Sequence, residues 1–234
     1  MARFRPTLLP TLMTLPALLV LLALGTWQLQ RLAWKETLIA ERQTQLAAVP
    51  APLPQFTDAA AGGLAHRRFS VRGRFLHEQT LFYGAPAVGG MPGVELLTPL
   101  RLDDGRMIVV NRGWIPLDAR QAAARPQTLT EGAVAIIGVL RPASTETGWF
   151  TPEPDRRAGH WFSYDVAAMA AHLALPLLPA VLEAVPDAER GRLPLARAAE
   201  VNLVNHHLQY ALTWYGLALA LAVIYTVYHL RREN

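Results

Sequence analysis

The hydrophobic and polar positions divide the chain into three sections. Residues 6–30 and residues 210–228 carry no charged side chain, and the section between them holds most of the charge. A helix over the second run is about 30 Å long, close to the thickness of a bilayer hydrocarbon core. The pattern therefore predicts two transmembrane helices, one near each end of the chain, with a folded domain between them.

The middle section has the alternation and punctuation that are typical of short strands. Residues 66–76 alternate between polar and apolar, and further apolar segments are bounded by Gly, Pro or Asp-Gly. The Asp104-Gly105 pair predicts a hairpin turn, and residues 163–175 predict a short helix. We expect a mainly antiparallel β (α+β) domain, either a small barrel or a sandwich. Its two Pro- and Ala-rich connectors are expected at residues 47–63 and 175–195.

The flanking charges predict the orientation of the two helices. Arg3 and Arg5 precede the first apolar run, and Arg231 and Arg232 follow the second. Because basic residues favour the cytoplasmic side, we expect both termini in the cytoplasm and the domain across the membrane. That side is the periplasm of a bacterium or the intermembrane space of an organelle.

The expected organisation follows from these runs and charges. It consists of a cytoplasmic N-terminus at 1–6, a transmembrane helix at 7–30, a periplasmic β-rich domain at 31–205, a second transmembrane helix at 206–229 and a cytoplasmic C-terminus at 230–234. The first run, with its preceding arginines, also resembles a cleavable secretory signal, and the sequence leaves that alternative open.

Composition excludes several classes of function. The net charge of +4 comes from scattered basic residues without interleaved aromatics, so no nucleic-acid partner is expected. The chain has no cysteine, which excludes disulfides, a thiolate nucleophile and Cys-based metal sites. It also lacks a P-loop, a nucleophile elbow and a metalloprotease His pair. We therefore predict no catalytic residues, and the protein is not expected to be an enzyme.

Aromatic and basic side chains collect where the first helix reaches the outer membrane interface. Trp27, Arg31 and Trp34 are spaced i, i+4 and i+7 and so share one helical face. Trp gathers at membrane interfaces, and Arg near the end of a span extends to the headgroups. An aromatic belt is one interpretation of these residues.

A histidine at the entrance of the second helix supports another interpretation. His207, Tyr210 and Trp214 share a helical face, and the neighbouring His206 is rotated from it by about 100°. An imidazole nitrogen can ligate a haem iron while aromatic neighbours cover the macrocycle, and Arg31 suits the propionates. No C-x-x-C-H motif occurs, so such a haem would not be covalently attached.

Three segments resemble the motifs of a known family. GTWQLQRLAWK at residues 25–35 is similar to the G-x-W-Q-x-x-R-x-x-W-K signature of the Surfeit-locus family of cytochrome c oxidase assembly factors, in particular the bacterial haem a-binding type. VNRGWIP at residues 110–116 resembles the N-R-G-W motif of that family, and NHHLQYALTWYGLA at residues 205–218 resembles its N-N-H-L-x-Y-A-x-T-W-F motif. The three motifs occur in the expected order over almost the whole chain.

The resemblance implies a multi-pass protein of the bacterial inner membrane that assists the assembly of a haem-copper oxidase. Such members are understood to bind haem a transiently and to help deliver it from haem a synthase to oxidase subunit I. The synthase, subunit I and the lipid bilayer are therefore the implied partners. The alternative is a cofactor-free membrane scaffold that stabilises subunit I during oxidase assembly.

The motif positions also imply the residues of the haem site. His207 falls on the proposed axial ligand of the iron, and Arg31 is the candidate partner of the propionates. Where the family has Asn-Asn-His, this chain has Asn205-His206-His207, which makes His206 a possible alternative ligand. The predicted cofactor-binding residues are His207, Trp214, Tyr210, Trp27 and Arg31.

Residues 111–114, the Asn-Arg-Gly-Trp motif, have two candidate roles. A strand that runs into a turn, with Gly113 relaxing the backbone and Trp114 in the core, is a structural interpretation. A docking surface for the oxidase subunit or the synthase is the other interpretation. Sequence alone leaves both open.

Overall fold

The structure, a computed structural model, describes residues 2–4, 6–121, 126–186, 193–196 and 205–232. Arg5 and the side chains of Arg3, Arg231 and Arg232, on which the predicted orientation depends, lie outside this described part. The chain divides into two compact units. One unit consists of Met1–Arg42 with Val201–Asn234, and the other is Gln43–Glu200.

Two of the helices are long and apolar enough to cross a membrane. The helices are α1 (Leu8–Ala47), α2 (Asp58–Ala61), α3 (Val166–Leu173) and α4 (His207–His229). The two candidate spans are α1, with 40 residues, and α4, with 23 residues. α1 continues beyond its apolar run because the following residues are rich in Leu, Ala, Glu and Gln, which are strong helix formers. The membrane boundaries at 7–30 and 206–229 stay predictions.

The strands lie mostly in the middle unit. They are β1 (Ala2–Phe4), β2 (Ala51–Pro52), β3 (Arg68–Phe75), β4 (Leu81–Tyr83), β5 (Ala87–Val88), β6 (Met91–Leu102), β7 (Met107–Pro116), β8 (Val134–Pro142), β9 (His160–Trp161), β10 (Leu177–Ala184) and β11 (Leu230–Arg232). β1 and β11 form a separate antiparallel pair. Two transmembrane helices flanking a mainly antiparallel β domain, as predicted, are confirmed.

Five strands of the middle unit close into a barrel. β3 pairs with β8, β8 with β10, β10 with β7, β7 with β6, and β6 again with β3. Within this ring only the pairing of β10 with β7 is parallel. Of the barrel and the sandwich that the sequence allowed, the chain forms the barrel, which leaves its five strands without an open edge.

Both faces of the barrel wall are packed. The interior is filled by alternate residues of the five strands, which include Phe69, Leu100, Ile108, Leu140 and Leu182. On the other face, Val109 of β7 packs in a second cluster with Met169 of α3. Burial on both sides explains why the first four residues of β7, Met107–Val110, are all apolar rather than alternating.

Strand β10 lies where the sequence predicted a connector, and that prediction was wrong. The prolines of residues 175–195 suggested a connector, but Pro179 coincides with an irregularity in the pairing of β10 with β7, between Leu177 and Val181. At that point the ladder is already interrupted, so the missing N–H of proline removes no regular strand bond. Ala180, Val181 and Leu182 are fully buried. The other predicted connector, residues 47–63, contains β2 and α2.

Helices α1 and α4 pack antiparallel and approach each other closely at Gly25. The ring of Tyr215 lies against this glycine, and a Cβ there would come within 2.9 Å of the ring. Ala211 and Ala218 of α4 are also buried. Small residues at these positions let two helices approach within a membrane. The Tyr215 hydroxyl and Thr26 Oγ1, 3.1 Å apart, are hydrogen-bonded across the pair.

At the opposite end of the helix pair, a hydrogen-bonded cluster surrounds His229. The Thr11 hydroxyl donates to the Thr7 carbonyl, so the Tyr225 hydroxyl donates to Thr11 Oγ1 at 2.6 Å. His229 Nδ1 donates to the Tyr225 carbonyl at 2.8 Å, and its Nε2 accepts from Thr7 Oγ1 at 3.0 Å. Because both ring nitrogens are engaged, this buried histidine joins the helices and presents no free ligand atom.

Gly113 of β7 has a positive φ and also lies in close contact with the backbone of another segment. Its φ is +109°, and a Cβ there would collide with the backbone carbonyl of Leu195. Trp114 exchanges two backbone hydrogen bonds with Leu195, at 2.9 and 2.8 Å. Glycine alone combines this φ with so close an approach. The motif at residues 111–114 therefore holds residues 193–196 against β7.

We expect Gly113→Ala to destabilise the protein by about 3 kcal/mol or more, because strain at positive φ adds to a collision with backbone. For a chain of this size that lowers the apparent Tm by about 6–12 °C. The measurement is thermal unfolding of the full-length protein in detergent. Gly132→Ala is the matched control, because Gly132 has φ +80° but open space around it. Equal losses in the two variants would contradict the role assigned to Leu195.

Candidate functional site

His207, the predicted iron ligand, faces α1 from the first turn of α4. Its Nδ1 lies 2.7 Å from Oε1 of Gln28. Because the amide oxygen of a glutamine can only accept a hydrogen bond, Nδ1 carries a proton, and in the neutral ring Nε2 is then the nitrogen with the free lone pair. Among the residues that the structure describes, Nε2 has no hydrogen-bond partner. The contact therefore orients the ring so that, in its neutral form, Nε2 is the nitrogen that could bind a metal.

Trp27 and Arg31 lie beside Gln28 on α1. Around the axis of α1, the side chain of Trp27 is rotated from that of Gln28 by about 100° and the side chain of Arg31 by about 60°, both in the same direction. The guanidinium carbon of Arg31 is 3.9 Å from the ring centre of Trp34, a cation–π contact on the same face. Trp27 is 53% exposed, so its ring is open to a ligand or to lipid.

Tyr210 and Trp214 lie beside His207 on α4, rotated from it by about 60° and 20°. Gln28 and His207 face each other, and α1 and α4 are antiparallel. Side chains rotated in this direction on either helix therefore lie on the same side of the helix pair. Tyr210 is 55% exposed, and Trp214 is partly buried. Ideal helical rotation thus places the five residues of the predicted haem set toward one flank of the helix pair. We call this surface the outer flank, defined by His207, Trp214, Tyr210, Trp27 and Arg31.

His206 occupies a different position from His207. It is the N-cap residue of α4, its side chain makes no capping hydrogen bond, and it is exposed. Its side chain has no counterpart of the Gln28 contact among the described residues. Of the two adjacent histidines, only His207 is oriented by the other helix.

Two buried polar atoms at the start of α4 and in its second turn have no hydrogen-bond partner in the described part of the chain. They are the indole Nε1 of Trp214 and the amide Oδ1 of Asn205. One is a donor and the other an acceptor. Because buried polar atoms in proteins are nearly always hydrogen-bonded, these two atoms are exceptions within the described part of the chain.

The motif at residues 111–114 points into the barrel domain. Asn111 Nδ2 donates to Glu95 Oε2 at 2.7 Å and to the Tyr164 hydroxyl at 2.9 Å, and Asn111 Oδ1 accepts from Gly113 N at 3.0 Å. The amide is thus fully used inside the domain. Trp114 is 2% exposed, and its indole donates to the Pro86 carbonyl at 3.1 Å.

Arg112 of the same motif is also buried. Its guanidinium donates to the Thr128 carbonyl at 2.5 Å and lies over the ring of Phe75, 4.4 Å from its centre. His77 Nδ1 lies 3.4 Å from the same group. Because the side chains of this motif are buried, they support the structural role and not a docking surface.

The polar network continues from Asn111 to a second carboxylate. The Tyr164 hydroxyl donates to Glu183 Oε1 at 3.1 Å, and Arg141 Nε donates to Glu183 Oε2 at 2.7 Å. Burial of the phenol, followed by the negative charge of Glu183, raises the pKa of Tyr164 well above its usual value near 10. Tyr164 therefore stays neutral and keeps its proton for Glu183.

No group of three His, Asp or Glu side chains is placed to hold a metal ion within the ranges that the structure describes. A free metal ion held by protein ligands alone is therefore not indicated there. The oriented His207 instead offers one nitrogen ligand, which suits an iron that already has a macrocycle around it.

The family model of the SURF1 family matches residues 15–219. The chain belongs to the SURF1 family. A SURF1-like protein of Monosiga brevicollis is 35% identical over 218 residues, which cover 87% of this chain and 82% of that protein. Surfeit locus protein 1 of Homo sapiens is 33% identical over 218 residues, 86% of this chain and 71% of that protein. A SURF1-like protein of Rickettsia felis is 30% identical over 215 residues, 89% of this chain and 92% of that protein.

Membership of the SURF1 family implies a role in cytochrome oxidase assembly. Members of the family are assembly factors and not enzymes. The resemblance that three short motifs indicated is confirmed by matches that cover most of the chain.

Sequence reasoning missed the role of Gln28 in this SURF1 protein. Gln28 stands in the first motif, but nothing within α1 shows what it faces. A signal was present in the spacing, because Thr11 and Gly25 lie on one helical seam and Gln28 follows Gly25 by three residues. A polar amide on the seam of an apolar helix predicts a polar partner on the facing helix.

In the ligand-free SURF1 protein, we expect His207 to adopt the Nδ1–H tautomer and Gln28→Leu to abolish that preference, because the substitution removes the acceptor. The measurement is NMR of the full-length protein in detergent with 15N-labelled histidine. The chain has seven histidines, and a His207→Gln variant assigns the signal of His207. Gln30→Leu, at an exposed position of the same helix, should leave the tautomer unchanged. An unaltered tautomer in Gln28→Leu would contradict the hydrogen bond.

Tyr164→Phe is expected to lower the stability of the SURF1 domain by about 1–3 kcal/mol at pH 7, because it leaves buried partners unpaired. The folded pKa of Tyr164 is raised, so the tyrosine contributes stability fully below the unfolded pKa near 10, and that contribution falls as the pH rises above it. The difference in apparent Tm between the wild type and the variant should therefore shrink above pH 10. A constant difference from pH 7 to pH 11 would argue against the raised pKa.

Proposed function

We propose that this SURF1 protein binds haem a on the outer flank and assists its delivery to subunit I of cytochrome c oxidase. The proposal combines the coarse role of the family with the geometry at the outer end of α1 and α4. One observation carries it: the His207 imidazole is oriented by Gln28, and its Nε2 has no hydrogen-bond partner among the described residues.

The donor set fits haem. A neutral imidazole with an engaged Nδ1–H is the form in which histidine ligates metals, and a hydrogen bond from that N–H increases the basicity of Nε2. When bound, haem supplies an iron with a position open to such a nitrogen. His207 would occupy that position, and Gln28 would hold its ring at a fixed angle.

The rest of the outer flank supports binding of a flat, amphipathic molecule. Trp27, Tyr210 and Trp214 offer aromatic surface on the same side as His207, and the first two are about half exposed. Arg31 would bind propionate carboxylates through its guanidinium. Its cation–π contact with Trp34 keeps the group on this flank without neutralising its charge.

Transfer of haem requires that it can leave. The chain has no cysteine, so it cannot form thioether bonds to a porphyrin. A single histidine ligand at an open flank permits release to a partner that offers stronger ligation. Haem a synthase as donor and oxidase subunit I as acceptor are therefore the partners that we propose.

We propose the bacterial inner membrane as the location, with both termini cytoplasmic and the barrel domain periplasmic. Two apolar helices, basic residues at both chain ends and similarity to a Rickettsia felis protein support this arrangement.

The test is to express the full-length protein with and without haem a synthase, purify it in detergent and record its absorption spectrum. We expect haem a only when the synthase is present, and His207→Ala should reduce haem content at least about tenfold, because it removes the metal ligand. His206→Ala is the matched control and should retain the wild-type content.

Two results would overturn the proposal. Undiminished haem in His207→Ala would move the ligand elsewhere, to His206 if only His206→Ala lost haem. Colourless wild-type protein that still co-purifies with subunit I would favour the cofactor-free scaffold.

A further inference from the structure

We propose that Trp149 and Phe150 give this SURF1 protein a membrane contact in addition to its two spans. The two rings lie at the tip of a turn of the barrel domain, residues 148–151, which we call the aromatic turn. In this proposal the rings insert into the headgroup region of the bilayer that α1 and α4 cross. The inference goes beyond the proposed function and does not depend on haem binding. It needs only the two spans, whose length and composition suit a bilayer.

The first observation is the exposure of the two rings. Trp149 is 102% exposed and Phe150 is 99% exposed, more than any other large apolar side chain that the structure describes. Two further tryptophans of the same unit, Trp114 and Trp161, are almost fully buried. Single exposed apolar residues are common on proteins, but two adjacent aromatic rings fully in water form a patch that gains from burial. The pair therefore indicates an apolar surface outside the barrel.

The second observation is the construction of the aromatic turn. Thr151 N donates to the Gly148 carbonyl at 2.9 Å, and Gly148 N donates to Thr151 Oγ1 at 2.8 Å. These bonds make Trp149 and Phe150 the two central residues of a closed turn. Pro152 follows directly and has no N–H. The turn thus presents both rings together, while the polar groups at its base are already hydrogen-bonded, which lowers the cost of bringing them close to lipid.

The surroundings of the aromatic turn favour lipid over a protein as the occupant. The preceding residues 144–147, Ser-Thr-Glu-Thr, are all exposed and polar, so they add no apolar surface to the patch. A protein interface buries a continuous area around its aromatic anchors, whereas a headgroup region accepts aromatic rings without a complementary shape. The chain also joins the barrel domain to a span at each end, so the bilayer is always present at a high effective concentration.

Charge predicts how this contact responds to lipid composition and salt. Residues 144–159 contain three acidic and two basic side chains, a net charge of −1. An anionic lipid surface does not attract such a segment, so the contact depends on burial of the two rings. We expect the same depth of insertion in zwitterionic and anionic vesicles, and at low and high salt.

The experiment uses the full-length protein in phosphatidylcholine vesicles. Because the chain has no cysteine, Thr147→Cys places a single nitroxide label at an exposed position beside the intact aromatic turn. Collision of the nitroxide with oxygen, which concentrates in lipid, and with a water-soluble nickel chelate measures the depth of the label. We expect the label to lie about 5 Å or more deeper than the same label in a protein that also carries Trp149→Ser and Phe150→Ser.

A matched control removes two other exposed apolar side chains of the barrel domain. Met91 and Leu117 are each about half exposed, and Met91→Ser with Leu117→Ser should leave the depth of the label unchanged. Thermal unfolding checks that the fold is intact, because substitutions at fully exposed positions 149 and 150 should leave the apparent Tm at the wild-type value.

Several results would overturn the inference. A label that is equally accessible to the nickel chelate with and without the two rings would show that the turn stays in water. A label that is buried only after an oxidase subunit is added would make a protein the occupant. A depth that disappears at high salt would assign the contact to charge, and an equal loss of depth in the Met91 and Leu117 control would remove the special role of the aromatic turn. The measurement contains no haem, so failure of the proposed function leaves it unaffected.

Discussion

The close approach of α1 and α4 at Gly25 is the constraint on which the candidate site depends. The Tyr215 ring occupies the space that any side chain at position 25 would need. With the helices this close, a short glutamine amide on one helix reaches an imidazole on the other. A wider separation would leave His207 as an unoriented interfacial histidine, indistinguishable in chemistry from His206.

A histidine connects the two helices at each end of the pair, and the two histidines differ in their hydrogen bonding. His229 uses both ring nitrogens inside the protein, whereas His207 has a partner among the described residues only at Nδ1. The same residue type is thus a structural crosslink at one end and a potential ligand at the other. The difference lies in the number of hydrogen-bond partners that the neighbouring helix supplies, and it cannot be inferred from the residue alone.

In the barrel domain, by contrast, the buried polar residues stabilise the fold. Asn111, Tyr164 and Glu183 form a continuous chain of hydrogen bonds within it, and each donor has an acceptor. The motif that contains Asn111 had two candidate roles in the sequence. Its burial and the contact of Gly113 with Leu195 support a structural role, in which the motif holds residues 193–196 against β7. Conspicuous residues in a motif can therefore be structural even in a protein whose function is to serve partners.

The sequence alone was sufficient for features that depend on local periodicity. Two uncharged runs predicted the two spans, and three motifs predicted the family. Alternation at residues 66–76 predicted β3, and apolar segments bounded by Gly, Pro or Asp-Gly predicted further strands of the barrel. The sequence alone did not predict β10, because its proline content suggested a connector. Only the structure shows that Pro179 lies at an interruption in the pairing of β10 with β7. A strand that is buried on both faces also lacks the alternation by which strands are recognised.

Tertiary structure decided everything that depends on which residues meet. Gln28 and His207 are 179 positions apart, and their contact follows from the antiparallel register of two helices, which neither helix encodes alone. The closure of the barrel and the burial of the Trp214 indole nitrogen likewise depend on packing between distant segments. Local sequence determines which face of a helix or strand is apolar, but the partner of that face is chosen by the packing of the whole chain.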